Sequence, residues 1–188
     1  MLTAIEHALN LLEKFHSLSW HDKWEAPFPM AVFGTLREGQ GNNVLMHQAP
    51  FESHHKAFLP HFYAEGLQIR AEKNCSGVFE IFTYTPENWK KMIPRVERLE
   101  GFTPGRKRDY GYYWRTLAYL HIVDGIESEF FPKDASDRLS LWRQPQKRDF
   151  KIPVEEWSKY QRIPCWIYSS LPQNDKARTF DGHPIIWD

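Results

Sequence analysis

The chain has 188 residues, of which 24 are Lys or Arg and 24 are Asp or Glu, so its formal net charge is zero. This balance gives no electrostatic argument for nucleic acid or for an anionic membrane surface, and a small molecule is the expected partner. Cys75 and Cys165 lie far apart and form no CxxC pair, so we expect neither a disulfide framework nor a zinc site, and a cytoplasmic location.

Residues 1–29 are predicted to form an N-terminal helix and a connector. Polar and charged residues interrupt the apolar positions of the first turns, which argues against a signal peptide or a membrane span. Thr3 and Glu6 have the spacing of a capping box. Behind them, apolar residues recur near the helical period at Ile5, Leu9, Leu12 and Phe15. We expect residues 20–29 to be turn-rich and without a helix, because Pro27 and Pro29 fall within them.

A short apolar run at residues 30–33 leads into a glycine turn, and residues 31–43 read AVFGTLREGQGNN. We predict a buried strand followed by a loop over residues 38–56. The turn lacks the lysine of a P-loop and the spacing of a dinucleotide-binding GxGxxG motif. Gly34 lets successive backbone N–H groups converge as in an anion-binding nest, although most glycine turns only reverse the chain.

The clearest predicted elements are a strand and the helix that follows it. Gly77–Tyr84 is rich in aromatic and β-branched residues, which predicts a strand. Thr85 and Pro86 have the arrangement of an N-cap and a first helical residue, and Gly101 that of a helix stop. An apolar stripe connects them, formed by Trp89, Met92, Ile93, Val96 and Leu99. Pro94 removes a hydrogen bond inside this helix, so we expect it to kink or divide the helix.

Glu100 closes the predicted helix, beside Leu99 of the apolar stripe. A carboxylate at a helix C-terminus faces the negative end of the macrodipole, at a cost on the order of 0.3 to 1 kcal/mol. Placement against local preference indicates a function, while the plainer interpretation is a solvated charge. Glu97 lies close to the same face of the helix, so it either competes with Glu100 as the functional carboxylate or supports it.

Two more strands are predicted, over residues 112–123 and 164–170, with a polar insertion over residues 124–162 between them. The basic run at residues 106–108, together with Arg37, leaves a phosphate-binding or nucleic-acid module as one alternative, although a short basic loop is usually solvated. Four histidines near the glycine turn have no matching acidic cluster, so we interpret them as surface or core residues and expect no metal site. Those histidines are His47, His54, His55 and His61.

Three blocks follow one another over residues 30–123: AVFGTLREGQGNN, GVFEIFTYTPENWKKMIPRVERLEGFTPG and YYWRTLAYLHI. In this order they resemble the motifs of the γ-glutamylcyclotransferase-like family, with Tyr113 and Arg115 matching its Tyr-x-Arg strand. The resemblance implies an α+β domain over residues 30–188, built on a small mixed β-barrel with flanking helices, in addition to the N-terminal helix. Phe33 departs from the family, which usually has Tyr at this position.

The resemblance also implies a reaction and the residues that perform it. In such enzymes a γ-glutamyl amine or peptide is converted to 5-oxoproline and a free amine, by a transferase or lyase reaction that uses no cofactor and no metal. Glu100 is then the general acid/base. The residues expected to bind the γ-glutamyl substrate are Phe33, Gly34, Thr35, Leu36, Arg37 and Tyr113. The alternative is a catalytically inactive module on the same fold that binds a small molecule or a protein, which the missing hydroxyl at Phe33 motivates.

Overall fold

The computed structural model describes residues 3–15, 17–65, 68–103, 114–123, 152–169, 179–180 and 183–184. Within these residues the helices are α1 (Ala4–Phe15), α2 (Trp20–Trp24) and α3 (Pro86–Glu100). The strands are β1 (Met30–Val32), β2 (Ser53–Glu65), β3 (Gln68–Thr83), β4 (Trp114–Ile122), β5 (Arg162–Ser169), β6 (Thr179–Phe180) and β7 (His183–Pro184). Short 3₁₀ turns cover Gly34–Leu36, Asn43–Leu45 and Val154–Lys159. No helix in the described ranges is long and apolar enough to cross a membrane.

Five strands close into a barrel in the order β1-β3-β2-β4-β5. β1 runs parallel to β5, with Met30 opposite Trp166, and the other recorded strand pairs of the barrel are antiparallel. The expected small mixed β-barrel accompanied by helices is therefore confirmed at this level of architecture. The strands predicted over residues 112–123 and 164–170 are confirmed as β4 and β5. β6 and β7 form a separate two-stranded sheet.

β2 and β3 form a long hairpin, where the sequence pattern predicts only the single strand Gly77–Tyr84. β2 begins at Ser53, within the predicted loop of residues 38–56, and β3 begins at Gln68 rather than at Gly77. The loop prediction is therefore wrong from Ser53 onward. His61 interrupts the regular pleat of β2 with a left-handed φ of 65°, and the register with β3 shifts next to it. Backbone hydrogen bonds between the strands build this hairpin without a clean alternation of apolar side chains.

α1 begins with the predicted capping box. The Thr3 N–H donates to Glu6 Oε2 (2.7 Å), and the Glu6 N–H donates to Thr3 Oγ1 (3.2 Å). At the other end of α1, Phe15 is buried against the rings of Phe28 and Trp166, at centroid distances of 5.4 and 6.0 Å. The main hydrophobic core therefore lies where the barrel meets the helices.

The connector contains a short helix, α2, so the prediction of a helix-free connector is wrong. Ser19 caps α2, because its hydroxyl donates to Asp22 Oδ2 (2.6 Å) and accepts from the Asp22 N–H (3.2 Å). Pro27 and Pro29 lie beyond the last residue of α2 and do not interrupt it. The serine followed three residues later by an acidic residue was the local signal for this helix.

α3 is one uninterrupted helix, so the prediction that Pro94 divides it is wrong. Pro94 is exposed, and water can hydrogen-bond the carbonyl that the proline leaves without a donor. Both predicted ends are confirmed. Thr85 Oγ1 accepts from the Asn88 N–H (3.2 Å), and Gly101 has a left-handed φ of 65°.

The end of the predicted insertion is part of the fold. Residues 124–151 lie outside the described residues, but Val154–Lys159 forms a 3₁₀ turn and Trp157 within it is buried. Trp157 Nε1–H donates to Ile152 O (2.9 Å). Both residues belong to a second core cluster, whose other members are Phe58, Val78 and Val123. This end of the predicted insertion therefore packs onto the barrel through Trp157.

Candidate active site

A cavity of about 230 Å³ lies between β1, the turn Gly34–Leu36, the last residues of α3 and β5. The lining residues are Ala31, Val32, Phe33, Gly34, Thr35, Leu36, Asn42, Leu99, Glu100 and Tyr168. Clefts that bind drug-sized ligands are typically about 300 to 1,000 Å³, so this cavity is slightly smaller than that range. The cavity therefore suits a small molecule or one end of a larger one.

The glycine turn forms one wall of the cavity. Gly34 has a left-handed φ of 63°, and no atom lies within 4 Å of where a Cβ would stand, so the backbone conformation and not a lack of space requires glycine. Two asparagines hold the turn. Asn42 Nδ2–H donates to Thr35 Oγ1 (3.0 Å), and Asn43 Nδ2–H donates to Leu36 O (2.9 Å). The turn is therefore fixed from the following loop.

The start of this turn offers hydrogen-bond donors to the cavity. Within the described residues, the backbone N–H groups of Gly34 and Thr35 have no acceptor. Such groups at the start of a helical turn have no partner inside the turn and take one from a ligand or from water. Both residues line the cavity, so the cavity wall can bind a carboxylate or a carbonyl oxygen.

Glu100 also lines the cavity, at the end of α3 where Gly101 stops the helix. Burial raises the pKa of Glu100 to about 7, because the ionised carboxylate loses its water without gaining a charged partner. In the part of the chain that the structure describes, no ion pair or hydrogen bond holds this carboxylate. A carboxyl group of this kind can both accept and donate a proton near neutral pH.

Glu97, the competing carboxylate, points to a different environment. Its Oε1 forms an ion pair with Arg115 Nη1 at 2.9 Å, and the guanidinium also donates to Trp24 O. Arg115 is buried among aromatic rings, including that of Trp166 at 4.9 Å from the guanidinium carbon. Burial and the Glu25 carboxylate raise the pKa of Glu97, and Arg115 opposes them. Glu97 does not line the cavity, so the structure brings Glu100 and not Glu97 to the glycine turn.

Tyr168 of β5 is a lining residue that the sequence analysis does not identify as part of a site. Its side chain is buried, and its hydroxyl has no hydrogen-bond partner of good geometry among the described residues. Burial raises the pKa of Tyr168, while the nearby Arg115 guanidinium opposes that rise, so the phenol is neutral. The predicted strand at residues 164–170 contained this tyrosine, but only the closed barrel shows that it faces the cavity.

The remaining predicted binding residues divide into three groups. Phe33 and Leu36 line the cavity as expected, and the ring of Phe33 packs edge-on against Phe79 at 5.6 Å. Arg37 is not in the cavity lining: it is buried, and its guanidinium lies against Glu80. The expectation that Arg37 binds substrate is thus not supported by its position. Tyr113 lies outside the described residues.

No group of three or more His, Cys, Asp or Glu side chains in the described ranges is arranged to hold a metal ion. His47 and His54 both pack against Phe51 and Phe82. His54 stacks on Phe82 at a centroid distance of 4.4 Å, and His61 is buried beside Trp157.

No model of a known protein family matches this chain, and no curated protein or solved structure matches it either. Its function must therefore be inferred from the cavity and from the residues that line it. The glycine turn and Glu100, which the sequence motifs indicated as candidate functional residues, line this one cavity.

Proposed function

We propose that this protein is a γ-glutamyl cyclotransferase, which converts a γ-glutamyl amine or peptide to 5-oxoproline and the free amine, on a barrel of the γ-glutamylcyclotransferase-like fold. One observation carries the proposal. Gly34 and Thr35, far from Glu100 in the chain, line the same small cavity as Glu100, whose carboxyl group is buried without a charged partner. A nest of backbone donors facing a proton-transferring carboxyl group is the minimum that this reaction needs.

The reaction is an intramolecular ring closure. The α-amine of the γ-glutamyl group attacks its own γ-carbonyl carbon, the bond to the leaving nitrogen breaks, and 5-oxoproline forms. Holding the two ends of the γ-glutamyl group together supplies roughly 7 to 11 kcal/mol of the barrier.

Glu100 moves the proton in this proposal. The attacking amine loses a proton and the leaving nitrogen gains one, so a single carboxylate acts first as base and then as acid. A pKa of about 7 suits both steps, because the group then exchanges protons readily at neutral pH. The N–H groups of Gly34 and Thr35 bind the α-carboxylate or the developing oxyanion.

A second candidate function is a binding module without turnover. The observation that favours it is Phe33, which contributes a ring and no hydroxyl to the cavity wall. Such a module retains the cavity and its donors but needs no proton transfer, so Glu100 would be dispensable for it. The two candidates therefore differ in what happens when the carboxylate is removed.

The deciding experiment measures 5-oxoproline by mass spectrometry after incubation with a panel of γ-glutamyl dipeptides and γ-glutamyl-lysine. The variants are Glu100→Gln and, as a matched control on the exposed face of α3, Glu87→Gln. We expect product from the wild type and from Glu87→Gln, and a loss of about 10²- to 10⁴-fold in Glu100→Gln, the usual contribution of general acid–base catalysis. Binding of panel members without product, unaffected by Glu100→Gln, identifies the binding module instead.

A further inference from the structure

A second buried carboxylate, that of Glu80, lies next to the glycine turn but outside the cavity. Glu80 is on β3, opposite Val32 of β1, and is 4% exposed. Its two oxygens receive three donors. The Glu38 N–H donates to Oε2 (2.6 Å), Arg37 Nε–H donates to Oε1 (3.4 Å), and His54 Nε2 lies 3.3 Å from Oε2. Each donor comes from a different group, so this carboxylate joins separate parts of the chain.

Two of the three donors belong to the residues that directly follow the glycine turn. Arg37 is the residue after Leu36, and its N–H closes the turn by donating to Gly34 O (3.3 Å). The next residue, Glu38, gives its backbone N–H to Glu80. Glu80 therefore fixes the exit of the turn, while the asparagines of the following loop hold the turn from its other side. Together these contacts determine where the turn lies relative to β3.

The position of His54 beside the Glu80 carboxylate is itself fixed by neighbouring residues. Its ring stacks on Phe82 at 4.4 Å with an interplanar angle of 16°, which fixes the direction of Nε2. Its other ring nitrogen, Nδ1, lies 3.8 Å from the side-chain carboxylate of Glu38. His54 thus contacts both Glu80, which accepts hydrogen bonds from the end of the turn, and Glu38, which follows the turn.

The Glu80 carboxylate is ionised in this arrangement. Burial acts to raise the pKa of Glu80, but the His54 hydrogen bond, the Arg37 charge and the Glu38 N–H together hold it below its usual value. A buried charge is retained only when it is paired and hydrogen-bonded, and removing one partner leaves an uncompensated group. The ionised carboxylate is therefore held by its donors. Two of these donors, Arg37 and Glu38, directly follow the turn.

We propose that Glu80 is a positioning residue: with Arg37 and His54 it holds the Gly34–Leu36 turn in the conformation that binds the γ-glutamyl group. This inference rests on the proposed function and deepens it, since it assigns to Arg37 the role of holding the turn in place of direct contact with substrate. It predicts an effect on substrate binding, because the turn binds substrate, and little effect on proton transfer, because Glu100 lies on another element.

The kinetic test uses Glu80→Gln, which keeps the shape and one acceptor oxygen but removes the charge. We expect KM for the best γ-glutamyl substrate to rise roughly tenfold or more, the equivalent of one hydrogen bond to a charged group, with kcat within about threefold of the wild type. The pH dependence of kcat should keep its midpoint, because Glu100 is unchanged. Glu87→Gln is the control. An unchanged KM in folded Glu80→Gln overturns the proposal, as does a loss confined to kcat.

A second measurement does not depend on activity. Amide hydrogen exchange of the free protein should be at least about tenfold faster at Arg37 and Glu38 in Glu80→Gln, because their N–H groups donate to Gly34 O and to Glu80, with exchange in α3 unchanged. If the wild type makes no 5-oxoproline but exchange next to the turn is faster in Glu80→Gln, the proposed function fails while the role of Glu80 in holding the turn stands. Equal exchange at these amides in Glu80→Gln and in the wild type overturns that role.

His54→Phe keeps the test decisive if Glu80→Gln does not fold. Phenylalanine preserves the stacking on Phe82 and removes the contacts that the two ring nitrogens make with Glu80 and Glu38. We expect a smaller rise in KM, about threefold, and faster exchange at Glu38. If neither KM nor amide exchange at Glu38 changes, the proposal is overturned.

Discussion

Two carboxylates on the last turn of α3 lie in differently built regions of the molecule. Glu97 faces the aromatic interior, where Arg115 pairs with it at 2.9 Å. Glu100, three residues later, faces the cavity, where burial raises its pKa to about 7 and no charged partner compensates within the described residues. Both are partly buried glutamates of one helix, so helix position alone does not decide their roles.

Glu97 and Glu100 differ in whether a charged partner faces the carboxylate. A paired carboxylate is part of the structure, because its partner is left buried and charged if it is removed. An unpaired buried carboxylate is a cost to stability and is typical of functional sites. Glu97 therefore belongs to the packing of α3 against β4, and in the proposed function Glu100 belongs to the chemistry of the cavity. The following experiments test this contrast, beginning with the largest expected effect.

Glu97→Gln should destabilise the fold. It leaves Arg115 buried without its ion pair, which costs up to about 3 kcal/mol, and the removal of a carboxylate whose pKa burial raises offsets part of that cost. The free energy of unfolding, measured by urea denaturation at pH 7, gives the value directly. Glu87→Gln, which removes an exposed carboxylate on α3, should leave stability unchanged. A Glu97→Gln protein as stable as the wild type would show that the pair with Arg115 does not hold α3.

Glu100 should make the folded protein less stable as pH rises. Its pKa in the folded chain is about 7, above the ordinary value of 4.5, so the folded state keeps a proton that the unfolded chain has lost between these values. The contribution is fully present below pH 4.5, falls as pH rises through 7, and is on the order of 3 kcal/mol.

The measurement compares unfolding free energies of the wild type and Glu100→Gln between pH 5 and pH 8.5. The glutamine variant lacks the titrating group, so we expect it to gain stability relative to the wild type as pH rises. Other groups, including Glu97, titrate equally in both proteins and cancel in the difference. A difference that is constant over this range would mean that Glu100 titrates normally.

Gly34→Ala should distort the wall of the cavity that the glycine turn forms. Alanine at a φ of 63° costs about 1 to 2 kcal/mol, although there is space for its methyl group. Gly41→Ala is the matched control, since Gly41 has equal space and lies outside the left-handed region. We expect lower stability and weaker substrate binding in Gly34→Ala only, by denaturation and by KM. Equal effects of the two substitutions would remove the backbone argument for Gly34.

Tyr168→Phe should have the smallest effect. The hydroxyl of Tyr168 is buried without a partner of good geometry in the described residues, so its loss should lower the melting temperature little. Because the hydroxyl oxygen is also out of contact with solvent, kcat/KM should stay within about threefold of the wild type. Tyr84→Phe is the opposite control, because its hydroxyl donates to Met46 O at 2.6 Å and its loss should cost about 1 kcal/mol of stability.

Local signals predicted the elements with clear ends. The capping box at Thr3 and the cap at Thr85 with the stop at Gly101 gave α1 and α3 almost to the residue. The hairpin from Ser53 to Thr83 had no such signal, because its pairing depends on contacts between distant residues. α2 was not predicted, because Pro27 and Pro29 argue against a helix in the connector. The cap at Ser19, which precedes both prolines, starts this helix.

By itself the sequence determined the two short segments that carry the candidate chemistry, the glycine turn and the helix that ends at Glu100, because turns and caps depend on neighbouring residues. Only the tertiary structure decided that these segments share a cavity, that Glu97 is paired, and that Tyr168 faces the same space. It also decided that Arg37 turns away to Glu80. The physical reason is that burial, ion pairing and pKa depend on residues that the closed barrel brings together from distant parts of the chain.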